Sequence, residues 1–177
     1  MRKRYEIAGL VVMEPVLGEE VAWTWANMRP EEKGEAVGGE AAHRAAAELA
    51  ERTIAIYHGD ALLAIATVDQ VKVRGEGEQG KENSTVHLEP SPSPKHFLSM
   101  ERTVNALAKG HRFAWLRAYG PLGRWISAAY PSGLWTVTPT DLPRALDVYR
   151  HAGAERTGET VKVGGREYWV LKMAVSR

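Results

Sequence analysis

The chain has no cysteine, which excludes disulfides, thiol nucleophiles and cysteine-based zinc or iron–sulfur sites, and suits a reducing compartment. No stretch approaches the roughly 20 apolar residues a membrane helix needs. The N-terminal run Ile7 to Met13 is too short and interrupted for a secretory core, so a soluble protein is expected. Excess charge of either sign is also missing: 23 basic and 22 acidic residues leave a formal net charge of +1, and no global field draws the protein to nucleic acid or anionic lipid. There is no Gly-x-Ser-x-Gly elbow, no phosphate-binding glycine loop ending in Gly-Lys-Ser/Thr and no Gly-x-Gly-x-x-Gly after a strand. Serine-hydrolase, P-loop and dinucleotide readings lose their support. The six histidines include no pair at metal-ligand helix spacing around a carboxylate, so no metal site is expected.

What remains is a 177-residue chain, 44% hydrophobic, that suits one domain with one core. Tyr5 to Met13 reads as a first strand and Gly18 to Asn27 as a helix with Val21, Trp25 and Met28 on one face. Glu40 to Arg52 is a second helix with a narrow stripe of Ala42, Ala45, Ala46 and Leu49. Thr53 to Tyr57 and Leu62 to Val68 form a hairpin around His58-Gly59-Asp60-Ala61. Residues 71–94 are a charged excursion bearing glycine and proline, closed by Pro90, Pro92 and Pro94. His96 to Met100 reads as a short strand, and Glu101 to Tyr130 as mostly helix, interrupted at Gly120-Pro121 by a kink or by a break into two helices. Leu134 to Thr138 is a strand feeding a helix with Pro143 in its first turn and Gly153 at its end. Glu155 to Val163 and Glu167 to Ala174 form a hairpin about Gly164-Gly165, with Trp169, Leu171 and Met173 on one face. The order predicts an α/β (α+β) fold: a mixed sheet flanked by helices.

Three features bear on chemistry. Trp115, Trp125 and Trp135 lie near Arg112, Arg117 and Arg124, but aromatics at helical spacing read first as core, and nucleic-acid binding is not favoured. The segment Arg117-Ala-Tyr-Gly120-Pro-Leu-Gly123-Arg124 invites comparison with the Arg-x-x-Gly-x-Gly loop that holds a coenzyme A pyrophosphate on backbone amides at a helix start, although its second glycine comes one residue late. A kinked helix explains the same residues. Tyr149, mid-helix after a strand, reads as half-buried packing or as a phenol facing a crevice, able to protonate a departing thiolate.

The element order, with Ala145-x-x-x-Tyr149-x-x-x-Gly153 after the strand Leu134 to Thr138, resembles the GCN5-related N-acetyltransferase (GNAT) fold. Leu142 and Ala154 stand where that superfamily pattern has Asn and Phe. Asn27-Met28-Arg29-Pro30, Phe97-Leu98-Ser99 before a long helix, Tyr130-Pro131 leading to Leu134-Trp135, and Gly153-Ala154 before a final hairpin also resemble the acetyltransferase-like internal virion proteins of T7-like tailed phages. The resemblance implies a single GNAT-like domain over 1–177, with a mixed, mostly antiparallel sheet. It implies a role in the phage particle or its assembly, with other phage structural or assembly proteins as partners, in the host cytoplasm or inside or attached to the virion. Ser99 to Val104 offers no glycine for a pyrophosphate, so the acyl-CoA site is expected to be degenerate. The alternative is an active acetyl-CoA-dependent N-acetyltransferase, with Tyr149 as acid, Glu101 as base, and Leu98, Met100, Arg102 and Thr103 along the cofactor. A host-targeting module resting on Val71 to Asn83 is a further alternative.

Overall fold

The structure is a computed structural model that describes residues 1–33, 39–70, 72–73, 86–87, 96–163 and 165–173. The described chain forms an eight-stranded sheet, and the chain divides into two compact units.

The first unit comprises Met1–Asp69 and Ser99–Pro121. It opens with β1 (Lys3–Ile7) and β2 (Leu10–Glu14), an antiparallel hairpin. The single strand expected over Tyr5 to Met13 is therefore two. Ala8 and Gly9 both take positive φ, 50° and 86°, the backbone of a tight two-residue turn. Alanine hides such a turn from the sequence because it rarely adopts that conformation. Helix α1 (Gly18–Ala26) buries Val21 and Thr24, and also Glu20, whose Oε1 accepts the Leu17 N–H at 2.8 Å and so caps the helix start. After α2 (Pro30–Lys33), α3 (Gly39–Leu49) turns His43 inward with half-buried Ala42 and Ala47. This corrects the predicted stripe: Ala45 and Ala46 are exposed, and Leu49 is 78% exposed.

Strands β3 (Arg52–His58) and β4 (Ala61–Gln70) form the predicted hairpin, paired from Arg52↔Val68 to His58↔Ala61. Thr53 to Ile56 and Leu62 to Val68 are buried without alternation, as in strands covered on both faces. Val21, Ala55, Leu62 and Ile65 form one core cluster, with Met13, Val16, Ala47 and Tyr57 packed against it. The first unit also holds Ser99–Arg102 of β7 (His96–Arg102), a 3-10 turn at Val104–Leu107, and the start of α4 (Arg112–Ser127).

Two expectations fail along this run. Glu101 and Arg102 are strand residues, because Thr103 ties the chain to β4: its N–H donates to Leu63 O at 2.8 Å and its hydroxyl to Leu62 O at 2.7 Å. The helix begins only at Arg112, and it runs through Pro121 as one element, which of the two alternatives at Gly120-Pro121 removes only the break into two helices.

The second unit comprises Gln70–Leu98 and Leu122–Arg177. In it β8 (Leu134–Pro139), β10 (Arg166–Met173) and β9 (Ala154–Val163) pair antiparallel in that order, and β8 pairs parallel with the start of β7 at His96↔Leu134 and Phe97↔Trp135. The sheet is thus mixed and mostly antiparallel, as predicted. Its order is β1-β2-β3-β4-β7-β8-β10-β9, with β5 (Lys72–Val73) and β6 (Val86–His87) pairing apart from it. Phe97 and Val170 anchor a cluster with Trp135, Val137 and Val161. Trp169, Leu171 and Met173 alternate on one face as predicted, with Leu171 and Met173 buried and Trp169 half-buried beneath Arg156 at 4.8 Å, while Tyr168 and Val170 are buried on the other face. A register shift against β9 between Trp169 and Leu171 accompanies this. Most of the charged excursion over 71–94 lies outside the described residues.

Candidate functional site

The predicted site residues fall on two elements. Leu98, Met100, Glu101 and Arg102 lie along β7, Thr103 directly follows it, and Tyr149 lies on α5 (Pro143–His151).

Leu98 is buried, and its carbonyl accepts the Thr136 hydroxyl at 2.9 Å. Met100 and Arg102 are half-buried. Thr103 is fully buried, and its hydroxyl also accepts the Asn105 N–H at 3.2 Å, capping the 3-10 turn. The next amide, Val104 N–H, donates to Asn27 O at 2.8 Å. Both N–H groups are therefore committed within the protein.

Glu101 has a partner that sequence reasoning missed. His43 reaches it from α3, Nδ1 against Glu101 Oε2, while His43 Nε2 lies 3.2 Å from Val21 O. Carboxylate and carbonyl oxygens are acceptors only, so the ring satisfies both by carrying both protons, as an imidazolium. Its side chain is 1% exposed and that of Glu101 21%. Burial by itself would lower the His43 pKa; the hydrogen bond and charge of Glu101, the Val21 carbonyl and the charge of Glu40 outweigh it, and the value is raised above 6.5. Trp25 packs on the ring at a centroid distance of 5.3 Å. Nothing in the sequence pairs His43 with Glu101, since 58 residues separate them and only the packing of α3 beside β7 joins them.

Beyond the 3-10 turn the chain reads Lys109-Gly110-His111-Arg112 and enters α4. Gly110 is exposed at φ +96°, and a Cβ built on it would meet nothing within 4 Å. Lys109 and Arg112 are exposed. His111 Nδ1 lies 2.8 Å from His58 Nδ1, at the hairpin turn of β3 and β4, which ties the helix start to the sheet. The N–H groups of His111 and Arg112 turn back to Ala108 O and that of Trp115 donates to His111 O at 2.9 Å, which leaves those of Phe113 and Ala114 without a backbone acceptor. A helix of 16 residues thus starts with its dipole, an open glycine and two cations together. The open glycine and its cations fit a diphosphate. Reading helix from Glu101 onward swallowed this segment; a glycine just ahead of the Trp115-Tyr119-Leu122-Ile126 periodicity was the available signal.

Tyr149 shares the inward face of α5 with Ala145, Leu146 and Val148, all half-buried, whereas Arg144, Asp147 and Arg150 are exposed. Gly153, at φ +93°, ends the helix as predicted. Among the described residues no three His, Asp or Glu side chains converge as metal ligands, and no helix is long and apolar enough to cross a membrane.

The fold is similar to that of many solved structures. A GNAT-family acetyltransferase from Bacillus anthracis superposes with a TM-score of 0.60 at 7% identity, covering 97% of this chain and 98% of that one. The protein has the GNAT fold. A GNAT-family acetyltransferase from Streptococcus agalactiae gives 0.62 at 9% identity over 98% and 100% of the two chains, and a spermidine N-acetyltransferase chimera from Vibrio cholerae gives 0.58 at 9% over 93% and 95%. No sequence-family model and no curated relative matches the chain. At these identities the likeness concerns the GNAT fold alone.

Proposed function

We propose that this GNAT-fold protein binds an acyl-coenzyme A and transfers its acyl group to an amine. The observation that carries the reading is the start of α4, where the open Gly110 and exposed Lys109 and Arg112 stand beside the Phe113 and Ala114 amides, which have no backbone acceptor. The diphosphate of the substrate would lie there, its negative charge balanced by the helix dipole and the two side chains. The amine nitrogen forms a bond to the thioester carbon as the carbon–sulfur bond breaks. The departing thiolate takes a proton from solvent, and the amine proton passes to the Glu101 carboxylate. His43 holds Glu101 in place from behind.

Calorimetric and thermal-shift titration with acetyl-CoA tests this. Saturation at 100 times the dissociation constant stabilises the fold by about 2.7 kcal/mol. Gly110→Val, which adds a branched side chain at positive φ in front of the amides, is expected to weaken binding about tenfold or more without comparable loss of fold. No heat and no melting shift at millimolar acetyl-CoA would sink the reading.

A second reading is favoured by the committed Thr103 and Val104 amides: a degenerate site on a protein that serves a phage particle or its assembly. The bacterial acetyltransferase structures above lend the particle role nothing, so it rests on the sequence resemblance alone. Mass spectrometry of purified virions and assembly intermediates tests it, and absence of the chain from both would end it.

A further inference from the structure

The group around Glu101 continues past His43 to an amine of the chain itself. Trp25, half-buried on α1, packs on the His43 ring at 5.3 Å, and Lys33, the last residue of α2, holds its Nζ 5.6 Å from the centre of the same indole. An ammonium at that distance is attracted to the ring face. Among the described residues no carboxylate pairs with Lys33, and its charge rests on the indole. The corner between α1 and α2 is tied to the end of β7, because Asn27 O accepts the Val104 N–H at 2.8 Å, three residues after Glu101. On Glu101 itself Oε2 is buried against His43, and among the described residues nothing bonds Oε1. A carboxylate with one oxygen held and the other unbonded, in a side chain 21% exposed, is open to an incoming N–H.

We propose that Lys33 is a modification site: the protein's own acyl transfer acetylates Nζ, with Glu101 as the base. The proposal rests on the acyl-CoA reading above and adds to it an acceptor carried by the chain. A lysine ammonium sits on a flexible four-carbon stem, so Nζ can leave the indole for the carboxylate. Glu101 is the attraction on that path, since the His43 imidazolium beside the ring repels a second cation. Lys33 enters as the free amine, its ammonium proton lost to solvent. Nζ then bonds to the thioester carbon, the carbon–sulfur bond breaks, the nitrogen's remaining excess proton passes to Glu101, and the thiolate takes a proton from solvent. The products are an N-acetyl-lysine and free coenzyme A. Acetylation removes the positive charge, and with it the attraction that holds the side chain over Trp25. Because amine and base belong to one chain, the reaction is intramolecular and gains the effective concentration of a tethered acceptor.

The test incubates the full chain with acetyl-CoA bearing an isotope-labelled acetyl group and maps the label by peptide mass spectrometry, while calorimetry on the same protein reads binding. The first label is expected on Lys33, at a rate unchanged by dilution of the protein and about tenfold or more above that of exposed Lys3 and Lys109. Glu101→Gln should slow the labelling of Lys33 about a hundredfold and leave that of Lys3 and Lys109 as it was, which an unfolded variant would not do. Lys33→Arg, which keeps a cation on the indole, should abolish that label with the heat of acetyl-CoA binding unchanged. Heat of binding with Lys33 unlabelled would overturn this proposal and leave the acyl-CoA reading standing, whereas absence of heat would end both. Labelling of Lys33 no faster than that of Lys3, indifferent to Glu101→Gln, or slowed by dilution of the protein would equally overturn it.

Discussion

Glu101→Gln tests the pairing of β7 with α3 directly. Glutamine keeps the shape of the side chain and removes its charge, leaving the His43 proton on Nδ1 buried against a neutral amide. Removing one partner of a buried ion pair costs about 3–5 kcal/mol; with the Glu101 side chain 21% exposed, water relieves part of that, and about 2–3 kcal/mol is expected. For a chain of this length the melting temperature should fall by about 5–10 °C. The pH dependence is the sharper signature. His43 is raised above 6.5 in the folded protein, so its contribution is complete below the unfolded value and is lost as pH rises through the folded value. Urea denaturation of both proteins across that window should show the stability gap widest near pH 6 and closing as the medium becomes alkaline. Other histidines titrate in both proteins and cancel in the difference. A gap that stays constant, or widens toward high pH, would refute the imidazolium–carboxylate assignment. Replacing both residues, as His43→Leu with Glu101→Met, should cost less than Glu101→Gln alone, since no unpaired polar group remains buried.

Two other outcomes follow from single sites. Tyr57 is pushed up to about 12 by burial and by its hydrogen bond to the buried Glu20, so its phenolate absorbance should appear well above pH 10, and Glu20→Ala should bring the titration back toward 10. Gly133 stands at φ +114°, with Lys172 Cε 2.8 Å and Trp135 Cη2 2.9 Å from the place a Cβ would take; Gly133→Ala should destabilise by about 2 kcal/mol in urea, and an unchanged midpoint would contradict the backbone described there.

The patterns that repeat locally determined much of this protein without help from tertiary structure. The β3–β4 hairpin, the closing β9–β10 hairpin, the strand-to-helix step from β8 into α5 and its end at Gly153 all follow from alternation, helical period and turn residues close together in the chain. Those signals, in that order, were enough to point to the GNAT fold.

Tertiary structure decided what depends on long-range partners. Thr103 ends β7 where it does because Leu62 and Leu63, some 40 residues earlier, accept its hydroxyl and amide. That bond moved Glu101 from a helix to a strand and delayed α4 to Arg112, so the glycine at its start emerged from a stretch read as continuous helix. α3 shows the same dependence. Its alanines fit either side of a helix, and only the buried pairing of His43 with Glu101 chose which side faces the core. Short apolar side chains carry little orientational information; a charge that must find its partner carries a great deal.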